Sequence, residues 1–373
     1  MSPDKIYMQM ALRLAKKGMG ITSPNPMVGA VLVKDNRVIG RGYHKGPGKL
    51  HAEAMAIQDA GPEARGATLY INLEPCCHTD KRTPPCTKEI IRSEIRRVVI
   101  GMEDPNPLVN GRGIRELAEA GIQIEKGVLY PEAGRMNEIY SKFISTKTPF
   151  VILKSASSLD GRIALPSGES KWITGETARR YSHRLRAMVD AVLVGIGTLL
   201  ADDPLLSVRD VGTRGKQPLR IIVDSRLRIP LTARALDQGG GQETMIATTK
   251  AASGEAVEAL EKIGVKTLIA ASREDGEVSL RSLMGELGKL GISSVLIEGG
   301  SKINASAFRE GIVDKVVLFY SPRIIGGSDS IGMVGGEAPG SLDGSVFLRD
   351  IIVRRLGEDI LVEGYVRKVM SNE

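Results

Sequence analysis

Two short stretches, HAE at residues 51–53 and EPCCHTDKRTPPC at residues 74–86, decide the fold and the chemistry that the chain can support. The first places the carboxylate of Glu53 two residues after the imidazole of His51, and the second contains all three cysteines of the chain. One histidine and two cysteine thiolates form the ligand set of a catalytic zinc that keeps its fourth position open for water. A carboxylate beside that water can move protons, so Glu53 is the candidate catalytic group.

The composition is that of an ordinary globular protein, whose basic surplus indicates either a solvated surface or anionic ligands. A length of 373 residues exceeds one typical core and predicts two domains. The net charge of +7 favours anionic ligands. The aromatic content of 4% favours phosphorylated small molecules over nucleic acid, because few rings are present for bases to stack on.

Cysteine usage and hydropathy predict a cytoplasmic protein. The three cysteines lie within eleven residues, which fits a metal site in a reducing compartment and not a disulfide framework. Residues 1–18 lack the apolar run of a signal peptide. No stretch approaches the ~18 apolar residues of a membrane span, so we expect no membrane partner.

The first part of the chain alternates helical and strand patterns, as layered α/β domains do. A helix is expected over residues 4–17 with Asp4 as its N-cap, and β-type runs on both sides of Asp35-Asn36 predict a hairpin. Cys86 is expected to begin a helix, whose partial positive charge favours the thiolate. Further helices and strands are expected at residues 51–60, 67–73, 97–101, 112–120 and 131–148.

A second α/β pattern follows Lys147, which we take as the domain boundary. Gly195 and Gly197 lack the third glycine of a dinucleotide fingerprint, which disfavours a Rossmann fold. Gly299 and Gly300 follow a strand pattern, where bare backbone amides can hold a phosphate. Strands are expected at 150–155, 190–195, 219–224, 294–298 and 315–320, helices at 175–188, 279–290 and 302–310, paired strands over 346–366, and surface loops at 209–217 and 237–242.

The series His51, Glu53, Pro75, Cys76 matches the H-x-E…P-C signature of the zinc nucleobase deaminases. That signature continues with C-x-x-C, but nine residues separate Cys76 from Cys86. We assign Cys76 as the ligand because the Pro-Cys adjacency fixes the backbone direction. Its neighbour Cys77 is the alternative ligand, or else a small buried thiol. A structural zinc with four protein ligands is a second alternative, in which His78 would be the fourth.

Several motifs resemble the deaminase half of the bifunctional deaminase/reductase family of riboflavin biosynthesis. They are SPNPMVG (23–29), HAE (51–53), EPCCH (74–78), TPPC (83–86) and GMEDPNPLVNGRGI (101–114). The cysteine ligands are one residue further apart than is usual in that family. The resemblance implies a cytidine-deaminase-like α/β/α layered domain over residues 1–147 that uses Zn²⁺. It also implies substrate contacts for Asn25, His44, His78, Arg82 and Asn106.

A second set of motifs resembles the reductase half of the same family: KSASSLDG (154–161), SKWITG (170–175), ADDP (201–204) and SPRIIGG (321–327). This resemblance implies a dihydrofolate-reductase-like α/β domain over residues 148–373 that uses NADPH. The implied substrate contacts are Ser170, Arg186, Asp202, Leu206, Arg209 and Glu298. The implied cofactor contacts are Lys154, Ala156, Trp172, Thr174, Thr198, Asp202, Ser225 and Gly300.

Together the resemblances imply two consecutive reactions. The first is zinc-dependent hydrolytic deamination of 2,5-diamino-6-(5-phosphoribosylamino)pyrimidin-4-one, and the second is NADPH-dependent reduction of the ribosyl group to a ribityl chain. Arg186 and Arg209 would hold the phosphate through charge-assisted hydrogen bonds. A homo-oligomer, either a dimer or a tetramer, is expected. Two other interpretations stay open at this point: a nucleic-acid deaminase with an appended binding domain, and an active zinc half joined to a non-catalytic oligomerisation module.

Overall fold

The computed structural model describes residues 1–78, 84–209, 211, 217–237 and 241–367. The chain divides into two compact units, Met1–Lys147 and Thr148–Glu373. Each unit has its own sheet and its own buried apolar residues. Arg82 and parts of the two predicted surface loops lie outside the described residues.

The first unit is a five-stranded sheet with helices on both faces, which confirms the predicted α/β/α layering. Its strands are β1 (Gly29–Lys34), β2 (Arg37–Tyr43), β3 (Thr68–Leu73), β4 (Arg97–Met102) and β5 (Gln123–Lys126), in the order β2-β1-β3-β4-β5. Strand β1 is antiparallel to both neighbours, and β3, β4 and β5 are parallel. Its helices are α1 (Pro3–Ala15), α2 (Ala52–Ala60), α3 (Cys86–Arg92), α4 (Arg112–Glu119), α5 (Tyr130–Met136) and α6 (Glu138–Thr146). Helices α2, α3 and α4 cover one face, and α1, α5 and α6 cover the other.

The predicted hairpin is confirmed. Asp35 and Asn36 have φ angles of 49° and 61°, both in the left-handed region. A two-residue turn with this geometry matches the right-handed twist of the strands that it joins. Strands β1 and β2 pair on either side of it, from Lys34 opposite Arg37 onward.

The predicted N-cap of α1 is wrong. The helix begins at Pro3 with Ser2 as its N-cap residue. The Asp4 carboxylate instead accepts hydrogen bonds from Nη1 and Nη2 of Arg97, both at 2.9 Å, and one from the Tyr70 hydroxyl at 2.8 Å. A bidentate arginine contact is stronger than a hydrogen bond from a helix amide, and it ties α1 to the sheet.

The single helix predicted over residues 131–148 is also wrong, because the chain forms α5 and α6 with Asn137 between them. The Asn137 side chain explains the interruption. Its Oδ1 accepts from the Met27 N–H at 2.8 Å, and its Nδ2 donates to the Met27 carbonyl at 3.1 Å. Asn137 therefore fixes the loop that precedes β1.

Helix α2 lies against β2 with no side chain between the two backbones. A Cβ atom on Gly42 would lie 2.1 Å from the carbonyl oxygen of Ala52, and one on Gly40 would lie 2.2 Å from that of Ala56. Both distances are far inside van der Waals contact, so these positions require glycine. The distance between α2 and the sheet is therefore set by the backbone, and α2 carries His51 at its N-cap and Glu53 in its first turn.

The second unit is a nine-stranded sheet with the order β11-β10-β9-β8-β12-β6-β13-β16-β15. Seven strands from β11 to β13 are parallel, and β16 and β15 add an antiparallel edge. The nine strands are β6 (Phe150–Ser158), β8 (Ala191–Gly195), β9 (Leu219–Val223), β10 (Thr244–Thr248), β11 (Lys266–Ile269), β12 (Ser294–Ile297), β13 (Lys315–Ser321), β15 (Leu348–Leu356) and β16 (Asp359–Val366). Two further short strands, β7 (Arg162–Ala164) and β14 (Ile331–Gly332), pair with each other in a separate antiparallel sheet. Its helices are α7 (Glu176–Arg186), α8 (Ile196–Asp202), α9 (Gly254–Lys262), α10 (Leu280–Lys289) and α11 (Ser301–Arg309). Across the described parts of both units, no helix is long and apolar enough to span a bilayer.

The carboxyl ends of two neighbouring strands position the predicted nucleotide contacts. Strands β8 and β12 are parallel with Leu193 opposite Ile297. Gly195 then serves as the N-cap of α8 and Gly300 as the N-cap of α11. In open α/β sheets, ligands bind outside the carboxyl ends of the strands.

Gly42→Ala should destabilise the first unit, because the new methyl group forces α2 away from β2. We expect a loss of about 2 kcal/mol or more in the free energy of unfolding, together with weaker zinc binding. Urea denaturation and metal titration of the full chain check both effects. Gly134→Ala is the matched control, since no atom lies within 4 Å of its added Cβ. Equal stability of the two variants would contradict the backbone contact.

Candidate functional site

The first unit brings together one histidine and two cysteines from three separate elements. His51 precedes α2, Cys76 follows β3, and Cys86 begins α3. Nδ1 of His51 lies 3.5 Å from Sγ of Cys76 and 3.3 Å from Sγ of Cys86. All three ligand atoms lie within 4.8 Å of one another. This nitrogen and sulfur donor set suits zinc and leaves one tetrahedral position open.

Glu53 is buried beside this cluster. It is 3% exposed, and its Oε2 has no hydrogen-bond partner among the described residues. Burial raises the pKa of Glu53 above the usual range of a carboxyl group, and the charge of Cys76 raises it further. A buried carboxyl oxygen without a partner is costly unless a ligand or water completes it, which fits a proton-transfer role.

Cys77 is turned away from the cluster. Its Sγ donates to the carbonyl oxygen of Leu108 at 3.8 Å. Burial raises the pKa of the Cys77 thiol, which disfavours the thiolate that a metal requires. The structure therefore brings Cys76, and not Cys77, to His51 and Cys86.

Asn25 and His44 form a short chain of hydrogen bonds beside the cluster. Nδ1 of His44 lies 3.3 Å from the Leu50 carbonyl oxygen, and Nε2 lies 3.1 Å from Nδ2 of Asn25. Since a carbonyl only accepts, Nδ1 carries the hydrogen and Nε2 accepts from the Asn25 amide. Burial lowers the pKa of His44, in keeping with a neutral ring. The ring centroids of His44 and His51 are 5.2 Å apart, which places this chain next to the cluster.

His78 and Asn106 lie on the two loops that follow β3 and β4. Nδ1 of His78 is buried without a hydrogen-bond partner among the described residues. The backbone N–H of Asn106 donates to Oδ1 of Asp104 at 2.9 Å, and that oxygen also accepts from the Tyr140 hydroxyl at 2.9 Å. Burial raises the pKa of Asp104 to about 6. The predicted contact Arg82 lies outside the described residues.

Three buried polar residues that position this site were missed by sequence reasoning. Asn72 donates to the Met27 carbonyl at 2.9 Å and accepts from the Gly29 N–H at 2.8 Å, and Asn137 binds Met27 from the other side. Glu74 accepts three backbone N–H bonds. Asn72 was detectable, because a polar residue inside the apolar run TLYINL needs a partner. Asn137 had no comparable signal.

In the second unit, a buried charge cluster lies after β12. Glu298 accepts from Nε and Nη2 of Arg186 at 2.5 and 3.0 Å, and from Nζ of Lys154 at 3.4 Å. Nη1 of Arg186 donates to the Ser207 carbonyl at 2.9 Å. Burial opposes ionisation of Glu298, but the charges of Arg186 and Lys154 outweigh it and lower its pKa to about 2.

Two further pairs of predicted residues are in contact. The Ser170 hydroxyl donates to Oδ1 of Asp202 at 3.1 Å. A Cβ atom on Gly300 would lie 3.1 Å from Oγ1 of Thr198. Gly300 thus lies close to the Thr198 hydroxyl at the N-cap of α11, and the first amides of a helix are suited to bind an anionic group such as a nucleotide phosphate.

Trp172 and Thr174 are joined through one arginine. The Arg179 guanidinium lies 4.7 Å from the centroid of the Trp172 ring, and its Nη1 donates to the Thr174 carbonyl at 2.8 Å. Trp172 is 62% exposed. An exposed indole held by a cation is a suitable surface for a planar ring.

The other predicted reductase residues have different surroundings. Ser225 donates to Oε2 of Glu277 at 2.6 Å. Leu206 is buried, whereas Arg209 is exposed. Ala156 lies in β6, opposite Phe319 of β13.

Comparison with known families and relatives gives matches to both units. Residues 1–102 match the cytidine and deoxycytidylate deaminase zinc-binding region, and residues 149–362 match the RibD C-terminal domain. The riboflavin biosynthesis protein RibD of Aquifex aeolicus is 44% identical over 359 residues, which is 96% of this chain and 97% of the relative. The RibD protein of Actinobacillus pleuropneumoniae is 42% identical over 360 residues, which is 96% of this chain and 94% of the relative.

Solved structures agree with these relatives. RibD of Acinetobacter baumannii (form 1) aligns with a TM-score of 0.87 at 37% identity, over 98% of this chain and 99% of that one. The diaminohydroxyphosphoribosylaminopyrimidine deaminase/5-amino-6-(5-phosphoribosylamino)uracil reductase of Thermotoga maritima aligns with a TM-score of 0.84 at 36% identity, with the same coverage.

Fold and site together define a zinc-dependent deaminase joined to a reductase. The near-complete matches identify its family more narrowly. The chain belongs to the RibD family, the bifunctional deaminase/reductases of riboflavin biosynthesis. Zinc and NADPH are its cofactors. A non-catalytic second half and a nucleic-acid deaminase are therefore the wrong interpretations.

Separate substitutions of Cys76 and Cys77 test which of the two adjacent cysteines binds zinc. Cys76→Ser should reduce bound zinc severely, because the cluster loses a thiolate, whereas Cys77→Ser should leave one zinc per chain. Metal analysis after dialysis against a weak chelator measures both variants. Zinc retained by Cys76→Ser and lost from Cys77→Ser would reverse the assignment.

The charge cluster predicts that the second unit loses stability at acidic pH, and we call this pH-dependent loss its acid limb. Because the folded-state pKa of Glu298 lies below its ordinary value of 4.5, its stabilisation is present above that pH and is lost as the pH falls towards about 2. Glu298→Gln should remove this limb and cost about 3 kcal/mol at pH 7, since Arg186 stays buried without its partner. Hydrogen exchange of β6 in urea, measured across this pH range, reports on the second unit alone. An unchanged acid limb in the variant would contradict this origin.

Proposed function

We propose that residues 1–147 form the deaminase and residues 148–373 form the reductase, acting in turn on one phosphorylated pyrimidine. The first would deaminate 2,5-diamino-6-(5-phosphoribosylamino)pyrimidin-4-one, and the second would reduce the ribosyl group of the product to a ribityl chain. The observation that carries the proposal is the cluster of His51, Cys76 and Cys86 beside the buried carboxyl group of Glu53.

In the deaminase, His51, Cys76 and Cys86 would hold zinc, which supplies an acidified water. Glu53 would take a proton from that water and deliver it to a ring nitrogen of the pyrimidine. It would then take the second proton, from the hydroxyl group added to the ring carbon, and pass it to the amine, which leaves as ammonia. Burial of Glu53 supports this double role, because burial raises its pKa above the usual carboxyl range and so favours the protonated form that delivers the proton.

Asn25, His44, His78 and Asn106 would bind the substrate, and Arg82 would contact its phosphate. The hydrogen-bond chain gives Asn25 a defined polarity. Its amide nitrogen donates to Nε2 of His44, so its carbonyl oxygen is the group available to a donor on the pyrimidine edge.

In the reductase, NADPH would supply a hydride to the sugar carbon that is bonded to the exocyclic amine. This carbon accepts the hydride in the open-chain imine form of the sugar, and a proton adds to the nitrogen, so the carbon–nitrogen bond is kept. Lys154, Ala156, Trp172, Thr174, Thr198, Asp202, Ser225 and Gly300 would contact the cofactor. The glycine at the N-cap of α11 and the exposed indole of Trp172 support this assignment.

Ser170, Arg186, Asp202, Leu206, Arg209 and Glu298 would contact the substrate of the reductase. Arg186 is bonded at all three nitrogens to Glu298 and Ser207. We therefore propose that Arg186 orients Glu298 towards the sugar hydroxyls, and that the exposed Arg209 binds the phosphate.

A homo-oligomer, dimer or tetramer, completes the proposal. Edge strand β15 exposes Ile351, Ile352 and Val353, which are 55%, 39% and 62% exposed. A second copy of the same strand would cover these side chains. Sedimentation velocity of Val353→Lys beside the wild-type chain tests this contact, and an unchanged mass would oppose it.

The state of the cysteines bears on the compartment. All three are free thiols, which supports a reducing compartment, the cytoplasm.

Incubation with the diaminopyrimidine phosphate, with and without NADPH, tests the two reactions. Ammonia should form without NADPH, and NADPH should be consumed only after deamination. Glu53→Gln should lower the deaminase kcat by about 10²- to 10⁴-fold, while reduction of the deaminated product stays normal. Glu63→Gln is the control, because its side chain is exposed and paired with Arg37. Absence of ammonia with a zinc-loaded wild-type chain would refute the deaminase assignment.

A further inference from the structure

The buried carboxylate of Glu74 binds three backbone amides of one loop. Its Oε2 accepts from the N–H groups of Asp104 and Gly111, both at 3.0 Å, and its Oε1 accepts from the N–H of Ile114 at 3.1 Å. Glu74 is only 3% exposed. The Gly111 and Ile114 amides lie at the start of α4, where a helix offers them no partner of its own.

The same residue belongs to the segment that carries the metal ligand Cys76. Glu74 follows β3 directly, and its own N–H donates to the Met102 carbonyl at 2.9 Å. The loop also approaches this segment closely, since a Cβ atom on Gly113 would lie 2.2 Å from the Pro75 carbonyl oxygen. The loop and the ligand segment are thus in direct backbone contact.

Helix α4 makes a second contact beside the other cysteine ligand. Oε2 of Glu116 accepts from the hydroxyl of Thr87 at 2.9 Å, and Thr87 is the residue after Cys86. The Thr87 N–H in turn donates to the Cys76 carbonyl at 3.3 Å. Both cysteine segments are therefore tied to the loop and helix that follow β4.

The loop that Glu74 holds also carries Asn106. The N–H of Asn106 donates to Oδ1 of Asp104, and the N–H of Asp104 donates to Glu74. Oδ1 of Asn106 accepts from the Leu108 N–H at 3.1 Å, which fixes the orientation of its amide. A displacement of the loop at Glu74 would therefore move Asn106 relative to the metal ligands.

We propose that Glu74 is a positioning residue of the deaminase, which holds the loop of residues 104–114, and with it Asn106, at a fixed distance from the metal-binding cysteines. It acts on the substrate through Asn106, so this inference rests on the proposed substrate contact of that residue. A role as an additional metal ligand does not fit, because both Glu74 oxygens already accept backbone N–H groups.

Glu74→Gln is the informative substitution because it keeps the shape of the side chain. The amide oxygen can replace Oε2, but the NH₂ group then faces the N–H of Ile114, donor against donor. Glu103→Gln is the matched control. Glu103 lies on the same loop, but its side chain is 43% exposed and bonds Lys126 on the surface.

Hydrogen exchange tests the clamp without reference to activity. In Glu74→Gln, the amide of Ile114 should exchange faster than in the wild type because it loses its acceptor. The amides of Asp104 and Gly111 should also exchange faster, because a neutral amide oxygen accepts more weakly than a carboxylate, while those of β3 and β4 keep their rates. Glu103→Gln should show neither change. Unchanged exchange at the three amides in Glu74→Gln would overturn the proposed clamp, whatever the substrate of the enzyme is.

Kinetics then test whether the clamp serves the substrate. In Glu74→Gln, the deaminase KM should rise about tenfold or more, with one zinc retained per chain and normal reduction of the deaminated product. Combined with Asn106→Ala, Glu74→Gln should add little to the effect of Asn106→Ala alone. Loss of zinc in parallel with kcat at an unchanged KM, or additive effects in the double variant, would overturn a role through Asn106. A wild-type chain that releases no ammonia would instead count against the deaminase itself.

Discussion

Direct backbone contact between α2 and β2, with only the hydrogens of Gly40 and Gly42 between them, is the constraint on which the deaminase site depends. This contact sets the distance of His51 and Glu53 from the sheet. Cys76 lies after the end of β3, and Cys86 lies at the start of α3. The three residues are not adjacent in the sequence: His51 lies 25 positions before Cys76, and nine residues separate the two cysteines. The geometry of the cluster therefore depends on how the helices pack on the sheet, and a shift of α2 changes the distance from His51 to both cysteines.

The features that could be predicted from the sequence are those that depend on a few adjacent residues. The ligand types His51, Cys76 and Cys86 and the hairpin at Asp35-Asn36 follow from short-range patterns, because spacing and turn geometry are properties of a few adjacent residues. The roles of Asn72 and Asn137 depend on partners 45 and 110 residues away, which only the folded chain defines. The error at Asp4 has the same origin, since its partner Arg97 is 93 residues distant.

In the second unit, burial determines which partner a charged side chain binds. The family motif predicts that Arg186 holds a phosphate, and in the folded chain its guanidinium also neutralises the buried Glu298. Two cations around one carboxylate keep that site ionised in an apolar interior. Edge strand β11 and helix α9 escaped prediction because they are short and largely exposed, and such elements carry little periodicity. Strand β10 is fully buried, but a buried run of only five residues has no alternation that would identify it as a strand.

The Glu74 contact also bears on the chemical lifetime of the chain. Asn110 is followed by Gly111, a pair prone to cyclise when the glycine nitrogen attacks the asparagine side chain. That nitrogen is the one whose hydrogen bonds Oε2 of Glu74, so the attacking atom is held away from reaction while the loop stays folded. Peptide mapping of stored protein would show this as slower isoaspartate formation at Asn110 in the folded chain than in urea. The hydrogen bond to Glu74 should therefore slow deamidation of Asn110 as well as hold the loop.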